Sequence, residues 1–195
     1  MKKVFAIAAA LMMLATAANA QSFGAGYVQS TTKNGNSSAV ANGFYAGFGY
    51  SAEILPGLNL NPGLYYEFLT SDKNFTLIPE LLQGKTTEHY VNVPLHVSYG
   101  ISFAPTFKFF IYAGPTANVG IASTTKGALL NTSTNNYEDK GYGRFDIMLG
   151  GGAGVEIMKK FRVNVGYDMG MLNRYDSSNY SIKRNRLTAG AAFIF

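Results

Sequence analysis

From Phe161 to Met171 the chain reads FRVNVGYDMGM, and its apolar and polar residues alternate without a break. Phe161, Val163, Val165, Tyr167, Met169 and Met171 occupy one phase, and Arg162, Asn164, Gly166, Asp168 and Gly170 the other. A two-residue period puts the two phases on opposite faces of a β-strand. In a soluble protein the large apolar face would turn inward. Here the opposite phase is charged or tiny, which suits a narrow polar interior. The pattern therefore predicts a strand that is apolar toward lipid and polar toward a lumen. RLTAGAAFIF at 186–195 repeats the theme, with Leu187, Ala189, Ala191, Phe193 and Phe195 in one phase.

Counting these two, eight segments share the alternation. They run over 22–29, 44–54, 58–69, 88–103, 107–121, 142–157, 161–174 and 184–195. In the second, Phe44, Ala46, Phe48, Tyr50, Ala52 and Ile54 oppose Tyr45, Gly47, Gly49, Ser51 and Glu53. In the fourth, Val91, Val93, Leu95, Val97, Tyr99 and Ile101 oppose Asn92, His96, Ser98 and Gly100. About 9–11 tilted residues suffice to cross a bilayer as a strand. Tight turns are expected at 55–57, 104–106 and 158–160, and longer polar loops at 30–43, 70–87, 122–141 and 175–183. Short turns at one rim and long loops at the other are the outer-membrane arrangement. Tyr99, Phe103, Phe107, Phe109, Phe161, Phe193 and Phe195 gather near the short turns, and Tyr66, Phe68, Phe145 and Tyr167 near the loops. Such rings form the two interfacial girdles of a membrane barrel. Pro62 and Pro115 fall mid-strand and predict local bulges or bends.

Residues 1–20 read differently. Lys2 and Lys3 precede an uncharged apolar run, and Ala18-Asn19-Ala20 is a small-x-small site before Gln21. This is the pattern of a cleavable signal peptide, leaving 21–195 as one domain. Without Lys2 and Lys3 the 16 basic residues become 14 against 11 acidic ones, too even a balance for a nucleic-acid partner. The chain has no cysteine, which excludes disulfides, thiolate metal sites and cysteine nucleophiles.

The strands YVNVPLHVSYG and FIYAGPTANVG, the hairpin FDIMLGGGAGVEI–FRVNVGYDMGM and the final phenylalanine carry a resemblance. The chain resembles the small eight-stranded bacterial outer-membrane barrels, similar to the OmpA/OmpX membrane domain and closer to the PorT-like outer-membrane β-barrel family. The resemblance implies an all-β, eight-stranded, antiparallel up-and-down transmembrane β-barrel at 21–195, in the bacterial outer membrane. It implies that Phe193 and Phe195 belong to the signal read by the barrel assembly machinery.

Eight strands leave a lumen that side chains can fill. By parity Glu53, Glu67, Glu88, Asp146, Glu156 and Asp168 point inward against Lys108, Arg144, Arg162, Arg174, Arg184 and Arg186. Buried charges persist when paired and hydrogen-bonded. An electrostatic plug is the preferred reading, a narrow ion path the alternative. Glu156 and Arg162 flank one turn and should pair, and Arg144 and Asp146 should meet Asp168 and Arg174 on the next strand. The many inward glycines suggest slack that holds water.

His96 and Ser98 form an H-x-S pair on one strand face, and a serine beside a histidine is a sound nucleophile arrangement. Outer-membrane lipid A deacylases use a similar strand motif with a separate acid. The flanking residues here depart from that pattern, no carboxylate can be assigned, and parity turns both side chains to the lumen. A structural histidine is expected. Gly150–Gly154 lacks the spacing of a phosphate loop and predicts close packing or sharp curvature.

The loops are the better candidates for recognition. Phe75, Leu77, Ile78, Leu81 and Leu82 form an apolar patch in the second one. It predicts either a short helix over the barrel mouth, the preferred reading, or a surface for a partner. The third loop, rich in Ser, Thr and Asn, predicts a segment without fixed structure. The expectation is a monomeric, non-enzymatic barrel with no cofactor or metal. Its partners would be outer-membrane lipid, the assembly machinery and an unidentified surface ligand. A small pore and a lipid-modifying enzyme using His96 and Ser98 are the alternatives.

Overall fold

The computed structural model describes residues 20–34, 37–73, 84–127, 133–139, 143–173 and 182–195. Apart from Ala20, the expected signal segment lies outside them. Strands β1 (Ala20–Asn34), β2 (Ser37–Leu55), β3 (Leu58–Lys73), β4 (Gly84–Ala104) and β5 (Phe107–Gly127) are each hydrogen-bonded to the next. A short β6 (Ser133–Asn135) and one helical turn, α1 (Asn136–Asp139), come next. The chain ends with β7 (Phe145–Ile157), β8 (Phe161–Gly170) and β9 (Ile182–Ile194). All pairings are antiparallel, and β9 pairs back onto β1. Eight strands thus close an up-and-down ring. The small β6 sits on β5 above the point where the β5–β7 ladder ends, outside the eight-strand count.

The inside is polar and the outside apolar. Phe44, Phe48, Ile111, Phe145, Val165 and Phe193 are exposed, whereas Glu67, Asn92, Asp146 and Arg184 are buried. The largest fully buried side chain is that of Arg184. No soluble fold gains from that inversion, because the apolar face then has only water to meet; in lipid it is the stable arrangement. Closing the ring also leaves no unpaired strand edge in hydrocarbon. The outward rings near the short turns, Tyr99, Phe103, Phe107, Phe161 and Phe195 among them, are all exposed, as are Tyr66, Phe145 and Tyr167 toward the other rim.

The short turns are where the alternation placed them. Gly57 adopts a left-handed φ of 80°, which glycine tolerates. Met158 and Lys159 carry φ of 55° and 57° in the β7–β8 turn. Pro62 and Pro115 do not shift the register as bulges would. The β3–β4 ladder skips between Pro62↔Leu95 and Tyr65↔Asn92, and the β4–β5 ladder between Pro94↔Thr116 and Val97↔Ala113. Each ladder resumes in the same register. Proline lacks an N–H to donate, so the wall loses bonds there without losing alignment.

The first loop expectation fails. Residues 30–34 and 37–43 are strand, paired from Ser30↔Ala41 up to Asn34↔Ser37. Polar residues beyond the lipid carry no apolar phase, so periodicity stops at the membrane while hydrogen bonding continues. The third loop is likewise more ordered than composition implied. β5 continues to Gly127, β6 pairs back on it, and Asn136 and Tyr137 of α1 are buried. The 75–82 patch lies outside the described residues.

Candidate functional site

The lumen is built in layers. Nearest the short turns, Glu156 and Arg162 face each other in register across the β7–β8 hairpin and form an ion pair of 2.8 Å. The guanidinium of Arg162 also lies over the Phe110 ring at 4.9 Å. Above this pair is a cavity of about 140 Å³ lined by Tyr45, Asn61, Tyr65, His96, Ser98, Tyr112 and Asn164, among others.

The next layer closes the barrel. Glu67 from β3 pairs with both Arg184 and Arg186 from β9. Arg186 donates to Asp168 of β8 at 2.7 and 3.0 Å. Asn92 of β4 donates to Glu67 at 2.9 Å, and Asn118 of β5 donates to Asn92 at 2.6 Å. Arg184 returns the chain of bonds by donating to Asn118 at 3.2 Å and to Ser30 of β1 at 2.6 Å. Glu67, Asn92, Asn118 and Arg184 therefore form a closed ring of hydrogen bonds across the lumen. Arg184 also stacks on Tyr90, 4.0 Å from the ring centroid. Two carboxylates balance two guanidiniums, and most of their lone pairs and protons are used, the condition under which buried ions are tolerated.

A third layer caps the loop end. Asn136 of α1 donates to Ser123 at 2.9 Å, Tyr90 donates to Glu88 at 2.9 Å, and an apolar cluster of Val28, Ala41, Leu69 and Tyr90 fills one side.

The inward glycines have a purpose that differs from slack. A Cβ on Gly166 would collide with the Tyr112 hydroxyl, one on Gly190 with that of Tyr45, and one on Gly154 with the Phe110 ring. Large rings from one wall occupy the room that glycine leaves on the other. Gly150, Gly152 and Gly154 thus serve close packing, as the sequence implied.

The family described as outer membrane protein beta-barrel domain matches residues 17–176. The chain belongs to that family. No curated protein sequence matches it. Among solved structures it is similar to Neisserial surface protein A, at 14% identity and a TM-score of 0.55, covering 89% of this chain and 96% of that one. It is also similar to Ail, the attachment invasion locus protein of Yersinia pestis, in complex with the heparin analogue sucrose octasulfate. There the identity is 14%, the TM-score 0.50, and the coverage 90% and 99%. The outer membrane enzyme PagL matches at 10% identity and a TM-score of 0.47, covering 87% and 98%. At these identities the likeness is one of fold.

As a member of this family the barrel resides in the outer membrane, where short turns face the periplasm and longer loops the exterior. The charges expected in its lumen divide accordingly. Glu67, Asp168, Arg184 and Arg186 form the plug, and Glu156 with Arg162 the lower pair. Asp146 is buried and accepts from the Leu172 amide at 3.1 Å. Arg144 does not meet Asp168. It lies before β7 at the outer rim, half-exposed, 3.7 Å from Glu138 and 4.7 Å from the centroid of Tyr137. Glu53 is exposed and accepts the Gly57 amide at 3.0 Å, which fixes a turn and takes no part in the plug. Lys108 stands opposite Glu156 in register at the periplasmic end. Arg174 lies outside the described residues.

His96 and Ser98 do face the lumen, but each is bonded elsewhere. His96 Nε2 lies 3.1 Å from Thr116 Oγ1 with its ring stacked on Tyr112, and Asn61 donates to Ser98 at 2.7 Å. Asn92, Asn118 and Ser30 are the residues that the charge pattern passed over. Their inward parity was available, but neutral side chains do not advertise a network.

Proposed function

We propose that this barrel is a plugged, non-enzymatic surface interaction module. The observation that carries the proposal is the closed ring Glu67–Asn92–Asn118–Arg184, reinforced by Arg186 and Asp168, in the middle of the lumen. An ion entering from either side would have to break paired, desolvated charges whose separation costs several kcal/mol. The interior is thereby committed to holding the wall together. Recognition falls to the extracellular end. There β2, β4 and β5 run to 19, 21 and 21 residues, well beyond the ~9–11 that cross lipid. This tall sheet carries the loop containing Phe75, Leu77, Ile78, Leu81 and Leu82, whose apolar character suits a partner surface. The separate hydrogen bonds of His96 and Ser98 argue for a structural part in the wall. The closed ring leaves no strand edge to pair with a second copy, which favours a monomer. Phe193, exposed on the last strand, and Phe195, exposed just after it, fit the part of an assembly signal.

The cavity of about 140 Å³ between the lower ion pair and the plug supports a second reading, a narrow path for ions or small solutes. Single-channel recording of the folded protein in planar bilayers separates the two. The plugged barrel is silent, and Glu67→Ala/Arg184→Ala introduces steps that scale with salt. Reproducible salt-scaled steps from the unaltered protein would overturn the plug and promote the pore.

A further inference from the structure

Lysines stand directly opposite one another at two places on the outer wall. Lys33 of β1 pairs in register with Lys183 of β9, and Lys85 of β4 with Lys126 of β5. All four are exposed and share the outward phase of Tyr27, Leu187 and Val91. None has an ion-pair partner among the described residues. Among the described residues, Asp72, in register with Lys85, is the one acidic residue paired with any of the four. Like charges directly opposite on a strand pair destabilise it.

The height of the two pairs is alike. Lys183 lies four residues beyond Leu187, the last large apolar residue on its strand's outward face, and Lys85 four residues beyond His89, which rests against Phe68. At ~3.3 Å per residue and a tilt near 45°, each pair stands roughly 9 Å above the upper edge of the lipid belt. This is headgroup level in the outer leaflet. Among the described residues no acidic residue stands in register with Lys33 or Lys183, and Asp72 offsets one charge of the other pair, so an anion lodged between the two ammonium groups would relieve the repulsion.

We propose that Lys33–Lys183 and Lys85–Lys126 are two binding sites for the phosphate groups of lipopolysaccharide in the surrounding outer leaflet. Each pair presents six N–H donors from two flexible stems to one phosphate. The sites lie on opposite arcs of the ring, so together they would tether the barrel at a set height and hold the tall extracellular sheet upright. The inference concerns the lipid-facing wall and does not depend on the plug.

The test uses the folded protein purified from outer membranes, with bisphosphorylated lipid A in mixed micelles as the probe. Lys33→Gln/Lys183→Gln and Lys85→Gln/Lys126→Gln should each weaken binding by about thirtyfold, the attraction of two surface cations. Lys→Arg at the same positions should retain it. Thermal unfolding in zwitterionic vesicles adds a readout of opposite sign: with no phosphate present, each Gln pair should unfold at a higher temperature than the unaltered protein. Equal binding by the Gln variants, or equal binding of dephosphorylated lipid A, would overturn the proposal. So would full competition by millimolar inorganic phosphate, which would make soluble phosphate the ligand.

Discussion

Glu67→Gln tests the plug most directly. The substitution keeps the side chain's shape and its acceptor for Asn92, and removes only the charge. Glu67 and Arg184 are both fully buried, and Arg186 keeps Asp168 as a partner. Arg184 alone is stranded, a fully buried guanidinium with Ser30, Asn118 and the Tyr90 ring around it. Breaking one side of a buried pair costs about 3–5 kcal/mol, and no solvent screening reduces it here. Glu156→Gln provides the comparison. Its pair with Arg162 is 12% and 23% exposed and sits beside a turn. Screening and relaxation there hold the cost near 1 kcal/mol. Urea unfolding of vesicle-embedded protein, followed by the mobility of unboiled samples on a gel, reads both. Glu67→Gln/Arg184→Met restores neutrality, so the double variant should lose less than the two single losses added, by a coupling of about 0.5–3 kcal/mol. Equal losses for Glu67→Gln and Glu156→Gln, or strict additivity in the cycle, would refute the view that a desolvated network holds the lumen.

Two further outcomes are expected. Gly166→Ala should destabilise the barrel by about 1–3 kcal/mol through overpacking, since its new methyl meets the Tyr112 hydroxyl, and Tyr112→Phe should recover much of that loss; the same unfolding assay checks both. Ser98→Ala should leave the acyl pattern of lipid A in membranes expressing the protein unchanged, as mass spectrometry of extracted lipid would show. A pattern that depends on Ser98 would restore the enzyme to consideration.

What could be read in the sequence, and what could not, follows from the range over which each signal acts. Alternation is local: a strand's two faces meet different surroundings, so FRVNVGYDMGM alone implies an apolar exterior and a polar lumen. The short turns and the aromatic girdles are local as well, and all are found where expected. The pair Glu156–Arg162 was legible because six residues and one turn separate the partners. Glu67 and Arg186 are 119 residues apart, and no spacing rule relates them. Their meeting depends on closure of β9 onto β1, which brings one wall of the lumen opposite another. Asp168 was expected to face Arg144 on the preceding strand. Register places it instead beside Arg186, on the strand that follows. The strand extensions at 30–34 and 37–43 escaped for a different reason. Above the lipid both faces meet water, so selection for an apolar phase lapses while the backbone still pairs. The glycines show the same division. Their small size was evident from composition, but which ring fills each gap is a property of the opposite wall. Sequence alone thus determined the barrel and its polarity, because those are set strand by strand. The plug was decided by tertiary structure, because only ring closure brings distant charges within bonding reach.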